Sequence, residues 1–335
     1  MLDERWSAEA EEIGDALRKL LAKESSPERV RKAEASADGR DAELERQLAE
    51  FGINDLPADP GVLSRVCLEL GRALAPVAIA ESLPAKIILG EEGVAYGLEG
   101  DVPAALARVA LPDPDGGVSI SSLQGPRRRS AAGDFLVRPE RGADARRVGD
   151  SEVAVRMRRL MRLLDAARLV GAGQGLLEIG VKYSKERVQS GRPIAAFQAV
   201  AHRLSNAATA LDAAVLLLRK AAFTATVDAG GDLAPSQPFA VMARAKAVEA
   251  ARLVATNVHQ VMGGYGFTID YDCQLYSRRI RSWSMRLARP GPELAQLARL
   301  LLDPALRDSV RLLWHHEQGV PLPRWAAGAD ARAPA

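Results

Sequence analysis

Cysteine is nearly absent. Cys67 and Cys273 are the only two in 335 residues. Two isolated thiols build neither a disulfide framework nor a zinc-ligand set, which fits a reducing, cytoplasmic setting. Histidine is scarce too: His202, His259, His315 and His316 are the whole supply. None has carboxylates at metal-ligand spacing, so no metal is expected. Aromatic residues make up 4%. Neither sign of charge dominates, with 45 basic and 43 acidic residues and a formal charge of +2. That balance removes the general reason to expect nucleic acid or a membrane surface as a partner. No apolar run reaches the length of a membrane span. The N-terminal stretch Met1–Leu17 is acidic and amphipathic, without the basic-then-apolar layout of a signal peptide. Nucleophile elbows and phosphate-binding P-loops are missing as well.

What is present points to helix. Apolar residues are 47% of the chain, much of it Ala and Leu, both strong helix formers. The length allows two or three domains around a sizeable core. Residues 7–24 place Ile13, Leu17, Leu20 and Leu21 on one face, with Ser7 as the N-cap. Further helices are expected from Asp41 to Phe51 and from Gly61 to Leu74, so residues 1–93 read as a helical unit. Between 94 and 151 helical periodicity fades. Short apolar runs at Ala107–Leu111, Val118–Ile120 and Phe135–Val137 alternate with Pro- and Gly-rich turns, the pattern of a small β-rich unit. Long helical stretches follow at 152–189, 194–229 and 237–262, with shorter ones at 272–288 and 292–302. Gly230-Gly231 and Pro235 mark one break. Long antiparallel helices joined by short turns argue for a bundle over 152–318. The tail 319–335 is rich in Pro and Ala and is expected to be loosely ordered.

Three constellations carry chemical potential. The first is the turn between the two longest helices, from Tyr183 to Gln198. Gly191 is placed to end the first helix and Pro193 to open the second. Arg187 and Gln198 can then reach the same side of the hairpin, where a guanidinium could pair with a phosphate and an amide with a ribose or phosphate oxygen. By spacing alone, a helix hairpin with a solvated arginine is the simpler reading. The second is Gln260-Val-Met-Gly263-Gly264-Tyr-Gly266-Phe267, whose glycines let a ligand approach the backbone closely. Taken alone, a plain glycine cap and turn is the simpler reading of those residues. The third is a run of arginines: Arg127 to Arg129, Arg146, Arg147, Arg156, Arg158, Arg159 and Arg162. Such a stripe could meet the phosphates of CoA, although a solvated helix face is the simpler account for most of it. Arg162 stands apart in Leu160-Met161-Arg162-Leu163-Leu164, an apolar context that predicts a buried, paired side chain.

Taken together, these segments resemble the acyl-CoA dehydrogenase family, best over about 155–283. Leu48–Ile53 and Glu69–Leu74 resemble its second and third helical stretches more loosely. The resemblance implies a mainly α fold: an N-terminal helical domain, here a reduced middle β segment, and a C-terminal four-helix bundle. It implies FAD as cofactor, shared across a subunit interface. Arg187 and Gln189 would face the diphosphate, Gln198 the adenosine, and Gln260, Gly263 and Gly264 would complete the cradle. Ser190 stands where the family usually has Phe. Arg162 falls where members often carry an arginine near the active site.

The family removes an α-proton from an acyl-CoA with a carboxylate while a hydride passes to flavin. The two positions that hold that carboxylate correspond to Leu287 and Met161, and neither side chain accepts a proton. Glu293 is the nearest downstream carboxylate and would need a shifted register. The flavin-facing segment of the middle domain is missing. The expected function is therefore that of a non-catalytic subunit in a heterotetramer, with a related chain supplying the base and the flavin-ring site. Bacterial assemblies of this kind act on CoA thioesters of steroid side chains. A self-sufficient flavoenzyme using Glu293, or a CoA-binding scaffold without activity, are the alternatives.

Overall fold

The computed structural model describes residues 5–37, 39–98, 100–227, 237–287 and 290–302. The expected tail 319–335, the end of the expected bundle at 303–318, the pair His315-His316 and the Gly230–Pro235 break lie outside the described residues.

Five helices form the N-terminal part. They are α1 (Ala8–Glu24), α2 (Pro27–Ala35), α3 (Ala42–Glu50), α4 (Pro60–Arg72) and α5 (Ile79–Leu89). The caps explain most of the boundaries. Ser7 accepts from the Ala10 N–H, Asp41 from Leu44 and Asp59 from Val62, and Pro60 opens α4 where no N–H is needed. Leu17 and Leu21 of α1 are buried with Leu44, Leu48, Val66 and Leu70, and Ile13 and Leu20 pack against that cluster. Two helices escape the sequence pattern. α2 buries only Val30 and Ala33, and α5 carries Pro84 in its interior.

Seven short strands follow: β1 (Val94–Tyr96), β2 (Val102–Pro103), β3 (Arg108–Pro112), β4 (Val118–Ser122), β5 (Arg127–Arg129), β6 (Phe135–Val137) and β7 (Arg146–Gly149). They make a four-stranded sheet ordered β1-β3-β4-β7 and a three-stranded sheet ordered β2-β6-β5. Only β1 and β3 run parallel among these pairs.

The bundle is built from α6 (Ser151–Glu186), α7 (Gln198–Val227), α8 (Gln237–Met262) and α9 (Cys273–Arg286), with α10 (Pro290–Leu302) lying on α8. One apolar core runs from α4 through α9. α4 crosses α6 at near backbone contact. A β-carbon on Gly71 would collide with the Arg168 carbonyl, and one on Gly171 with the Leu68 carbonyl. Glycine at both positions is what lets the N-terminal part seat on the bundle. Among the described residues no helix is long and apolar enough to cross a membrane.

The α6–α7 connection differs from expectation. Gly191 does not end α6, which stops at Glu186 with Arg187 as its C-cap. Val188–Gln189 (β8) and Arg192–Pro193 (β9) pair as a two-residue hairpin, so Pro193 lies in a strand, not in the next helix. Ser190 and Gly191 turn it with φ of 52° and 75°. Both central residues of such a tight turn need positive φ, and Gly191 fills one of them at no steric cost. The arginine stripe is also not one helix face. Arg127–Arg129 form β5, Arg146 and Arg147 open β7, and only Arg156–Arg162 lie on α6.

Candidate functional site: one exposed end and one filled interior

The end of the bundle gathers the C-terminus of α6, the N-terminus of α7 and the C-terminus of α8. They are close enough that a β-carbon at Gly180 would press on Val258 and Leu204. Arg187, Gln189, Gln198, Gln260, Gly263 and Gly264 are all exposed there. Arg187 caps α6 through its N–H to the Tyr183 carbonyl at 2.9 Å. Its guanidinium lies 5.8 Å from the centroid of the Tyr265 ring, which brings it to the glycine turn. Gln198 is the first residue of α7, where unpaired N–H groups and the helix dipole favour an anion. Gln260 is in the last turn of α8.

The glycine turn Gly263–Phe267 is a 3-10 segment. Gly263 has φ 59°, the left-handed conformation that ends α8. Gly264 is not in that region, and a β-carbon on it would meet nothing within 4 Å. The chain itself thus does not require glycine at 264. Open space lies outside that backbone, and the neighbouring Tyr265 ring carries the Arg187 guanidinium. His259 lies beneath the turn with its ring 5.0 Å from that of Phe267, and burial lowers the imidazole pKa.

The second region is the interior. Met161 and Leu287 are buried in one apolar cluster with Tyr96, Ala110, Ile120 and Met157. The remaining cavity between them has a volume of about 10 Å³ and is also lined by Tyr96, Leu98 and Gly100. That is room for one water at most. The buried Tyr96 hydroxyl on its wall has no hydrogen-bond partner among the described residues, so a water there would be well placed.

Around this plug runs a continuous ladder of buried charge. Arg162 Nε sits 3.3 Å from Glu293 Oε1, and its Nη2 donates to Gln296 at 2.6 Å. Glu293 Oε2 accepts from Arg244, whose Nε donates to Asp165 at 2.8 Å. Asp165 accepts from Arg168 at 2.6 Å, and Arg168 donates to Glu81 at 2.5 Å while lying 4.5 Å from the Trp283 ring centroid. Arg286 donates to Glu81 at 3.0 Å and pairs with Asp134. Four guanidinium groups meet four carboxylates in alternation, tying α5, α6, α8, α9, α10 and the β6 hairpin together.

Burial works against ionisation of Asp165, yet Arg244 and Arg168 outweigh it and hold the carboxyl below its usual range. At Glu293 burial wins and raises the pKa in spite of Arg244 and Arg162. Burial likewise lowers Arg162. The two thiols sit in the same kind of environment, and burial pushes both Cys67 and Cys273 up to about 12.

The sequence singled out Arg162 but not Glu81, Asp165, Arg168, Arg244 or Arg286. A signal did exist. Arg162, Asp165 and Arg168 are spaced three apart within an apolar stretch of α6 and so fall on one inward face. Among the described residues no group of His, Cys, Asp and Glu could hold a metal ion.

Residues 152–286 match the family description "Acyl-CoA dehydrogenase, C-terminal domain". This part of the chain is similar to acyl-CoA dehydrogenase C-terminal domains. A curated relative, acyl-CoA dehydrogenase IpdE2 of Mycolicibacterium smegmatis, is 29% identical over 321 residues, covering 87% of this chain and 98% of the relative. Two solved structures share the fold of the whole chain. One is a Tcur3481-Tcur3483 steroid acyl-CoA dehydrogenase variant, with 23% identity and a TM-score of 0.80 over 89% of this chain and 98% of that one. The other is the ChsE4-ChsE5 complex from Mycobacterium tuberculosis, with 22% identity and a TM-score of 0.80 over 90% of this chain and 100% of that one. The chain therefore has the acyl-CoA dehydrogenase fold.

Proposed function

We propose that this chain is the non-catalytic subunit of a heteromeric, FAD-dependent acyl-CoA dehydrogenase. A related partner chain supplies the carboxylate base and the flavin-ring site. This chain supplies Arg187 and Gln189 to the FAD diphosphate, Gln198 to the adenosine, and Gln260, Gly263 and Gly264 to the backbone cradle. The observation that carries the reading is the contrast between the two regions. In the interior the side chains of Met161 and Leu287 accept no proton, the Glu81 and Asp165 carboxylates that also line the cavity are engaged by Arg168, Arg244 and Arg286, and about 10 Å³ of volume is free. The opposite end of the bundle keeps its polar groups and glycines exposed.

FAD held there would supply the hydride acceptor for the dehydrogenation. This chain's contribution is to bind and orient. Arg187 offers a fork of N–H donors to a diphosphate oxygen pair. The N-terminus of α7 adds partial positive charge beside Gln198. Gly263 and Gly264 allow the ligand to approach the backbone without a side chain in the way.

The interior also speaks to substrate. An acyl chain needs an apolar cavity, whereas here the ionic ladder and the Met161–Leu287 plug occupy that volume. A bulky acyl group would then lie in the partner's site. The steroid acyl-CoA dehydrogenase among the structural neighbours supports a CoA thioester of a steroid side chain as that substrate. The two free, buried thiols suit assembly in the cytoplasm.

Co-expression with the related chain tests the reading. The expected product is a yellow heterotetramer that oxidises an acyl-CoA, while this chain alone purifies with little flavin. Arg187→Ala should lower FAD occupancy of the complex. A colourless complex with every related partner would sink the reading. A yellow, active homo-oligomer of this chain would favour the self-sufficient enzyme in its place.

A further inference from the structure

The exposed end of the bundle holds aromatic surface that the proposed diphosphate contacts leave unused. Tyr265 is 45% exposed and Tyr271 37%. Their ring centroids are 5.4 Å apart, and Tyr183 lies 6.4 Å from Tyr265 and 6.5 Å from Tyr271. Tyr183 belongs to α6, one turn before Arg187, and is half-buried. Tyr265 is thus braced by two other rings while part of its own surface stays open. It follows Gly264 directly, and the Arg187 guanidinium lies over it.

Resting on the subunit reading above, we infer that Tyr265 is the platform on which the adenine of the shared FAD stacks. A purine needs an apolar π-surface within one nucleotide's length of the diphosphate donors, and a ring already fixed in place loses little freedom on binding. Ser190 at the hairpin tip offers no ring for this purpose. Tyr265 offers one, beside the same Arg187 and glycine backbone that would hold the diphosphate. Arg187 gains a second role. In the unliganded chain its cation–π contact with Tyr265 keeps the guanidinium at the mouth of the cradle.

Phe267 is the competing platform, because it is 77% exposed. Its ring contact is with His259, and among the described residues no arginine or paired tyrosine braces it. Tyr265 is therefore the better preorganised of the two.

The test uses the co-purified complex, stripped of flavin and titrated with FAD and with FMN, which lacks the adenosine half. Tyr265→Ala should raise the Kd for FAD about tenfold, the scale of losing one base–aromatic stack. The Kd for FMN should stay within about twofold, and Tyr265→Phe should restore FAD binding to within about twofold of wild type. Phe267→Ala should leave both ligands unaffected. An unchanged FAD Kd in Tyr265→Ala overturns the platform and leaves the subunit reading standing. Equal losses for FAD and FMN overturn it too, since they would mean a collapsed turn. So does a selective FAD loss in Phe267→Ala. A wild-type complex that binds no FAD overturns both the platform and the subunit reading.

Discussion

Arg162 and Glu293 form a buried ion pair, Nε to Oε1 at 3.3 Å, that locks α10 onto α6. Glu293 is the downstream carboxylate that the sequence offers as an alternative base. Its second oxygen is already taken by Arg244. Both oxygens serve guanidinium groups and the side chain is only 3% exposed, so Glu293 is committed to the ladder and shielded from a ligand. Glu293→Gln should therefore act on stability. Removing one charge from a buried network costs about 3 kcal/mol. Urea unfolding should show that loss, and the complex should keep its turnover at a temperature where the variant is folded. Loss of turnover with unchanged unfolding would make Glu293 the base after all.

Asp165 gives the ladder a defined pH dependence. Its folded pKa lies below the ordinary aspartate value of about 3.9, because Arg244 and Arg168 outweigh the effect of burial. A lowered folded pKa means stability that is present above about pH 4 and lost as the pH falls through the unfolded and then the folded value. Glu293 has the opposite sign. Its raised folded pKa makes its share largest in acid and smaller as the pH climbs through that raised value. Denaturation midpoints of the wild type should drop below about pH 4, and Asp165→Asn should flatten that limb. Unaltered acid sensitivity in Asp165→Asn would show that other carboxylates control it.

The α4–α6 crossing has no slack. A β-carbon at Gly171 would run into the Leu68 carbonyl, which is backbone and cannot swing aside. Overpacking of this kind costs about 1–3 kcal/mol, and Gly171→Ala should fall at the upper end. The same shift would displace Arg168, one turn away on α6, and weaken its bond to Glu81. A melting temperature within about 1 °C of wild type would refute the close approach.

How much of this could be read in advance depended on where the information sits. Caps and apolar spacing are local, so Ser7 announced α1, and the starts expected for the next two helices at Asp41 and Gly61 fall within a residue of those of α3 and α4. α5 stayed hidden because Pro84 interrupts it, and α2 because it turns so little apolar surface inward. The hairpin after Arg187 depends on Ser190 taking a positive φ, a conformation that neighbours impose on serine and that its identity does not predict. The apolar setting of Arg162 foretold its burial. Its partners on α10 could not be foreseen, because the pairs Arg162–Glu293, Arg244–Asp165 and Arg286–Glu81 join elements far apart in the chain. Likewise, the sequence shows that Met161 and Leu287 lack acidic groups. That they fill one cavity is a fact of packing.

Gly263 and Gly264 differ in what the chain itself requires of them. The Gly264 backbone is outside the left-handed region, and a β-carbon there meets open space. On its own, then, the chain should tolerate alanine. Gly264→Ala should change unfolding by no more than about 0.5 kcal/mol, the usual range for a surface substitution. In the assembled enzyme the added methyl would stand where the cofactor's diphosphate is proposed to pass, so FAD occupancy should fall while the heterotetramer still forms. Gly263→Ala is the contrast. Its φ of 59° makes it costly for the chain before any ligand arrives. Equal effects of the two substitutions on unfolding, with FAD occupancy unchanged in both, would reduce this turn to a helix cap and remove it from the cofactor site.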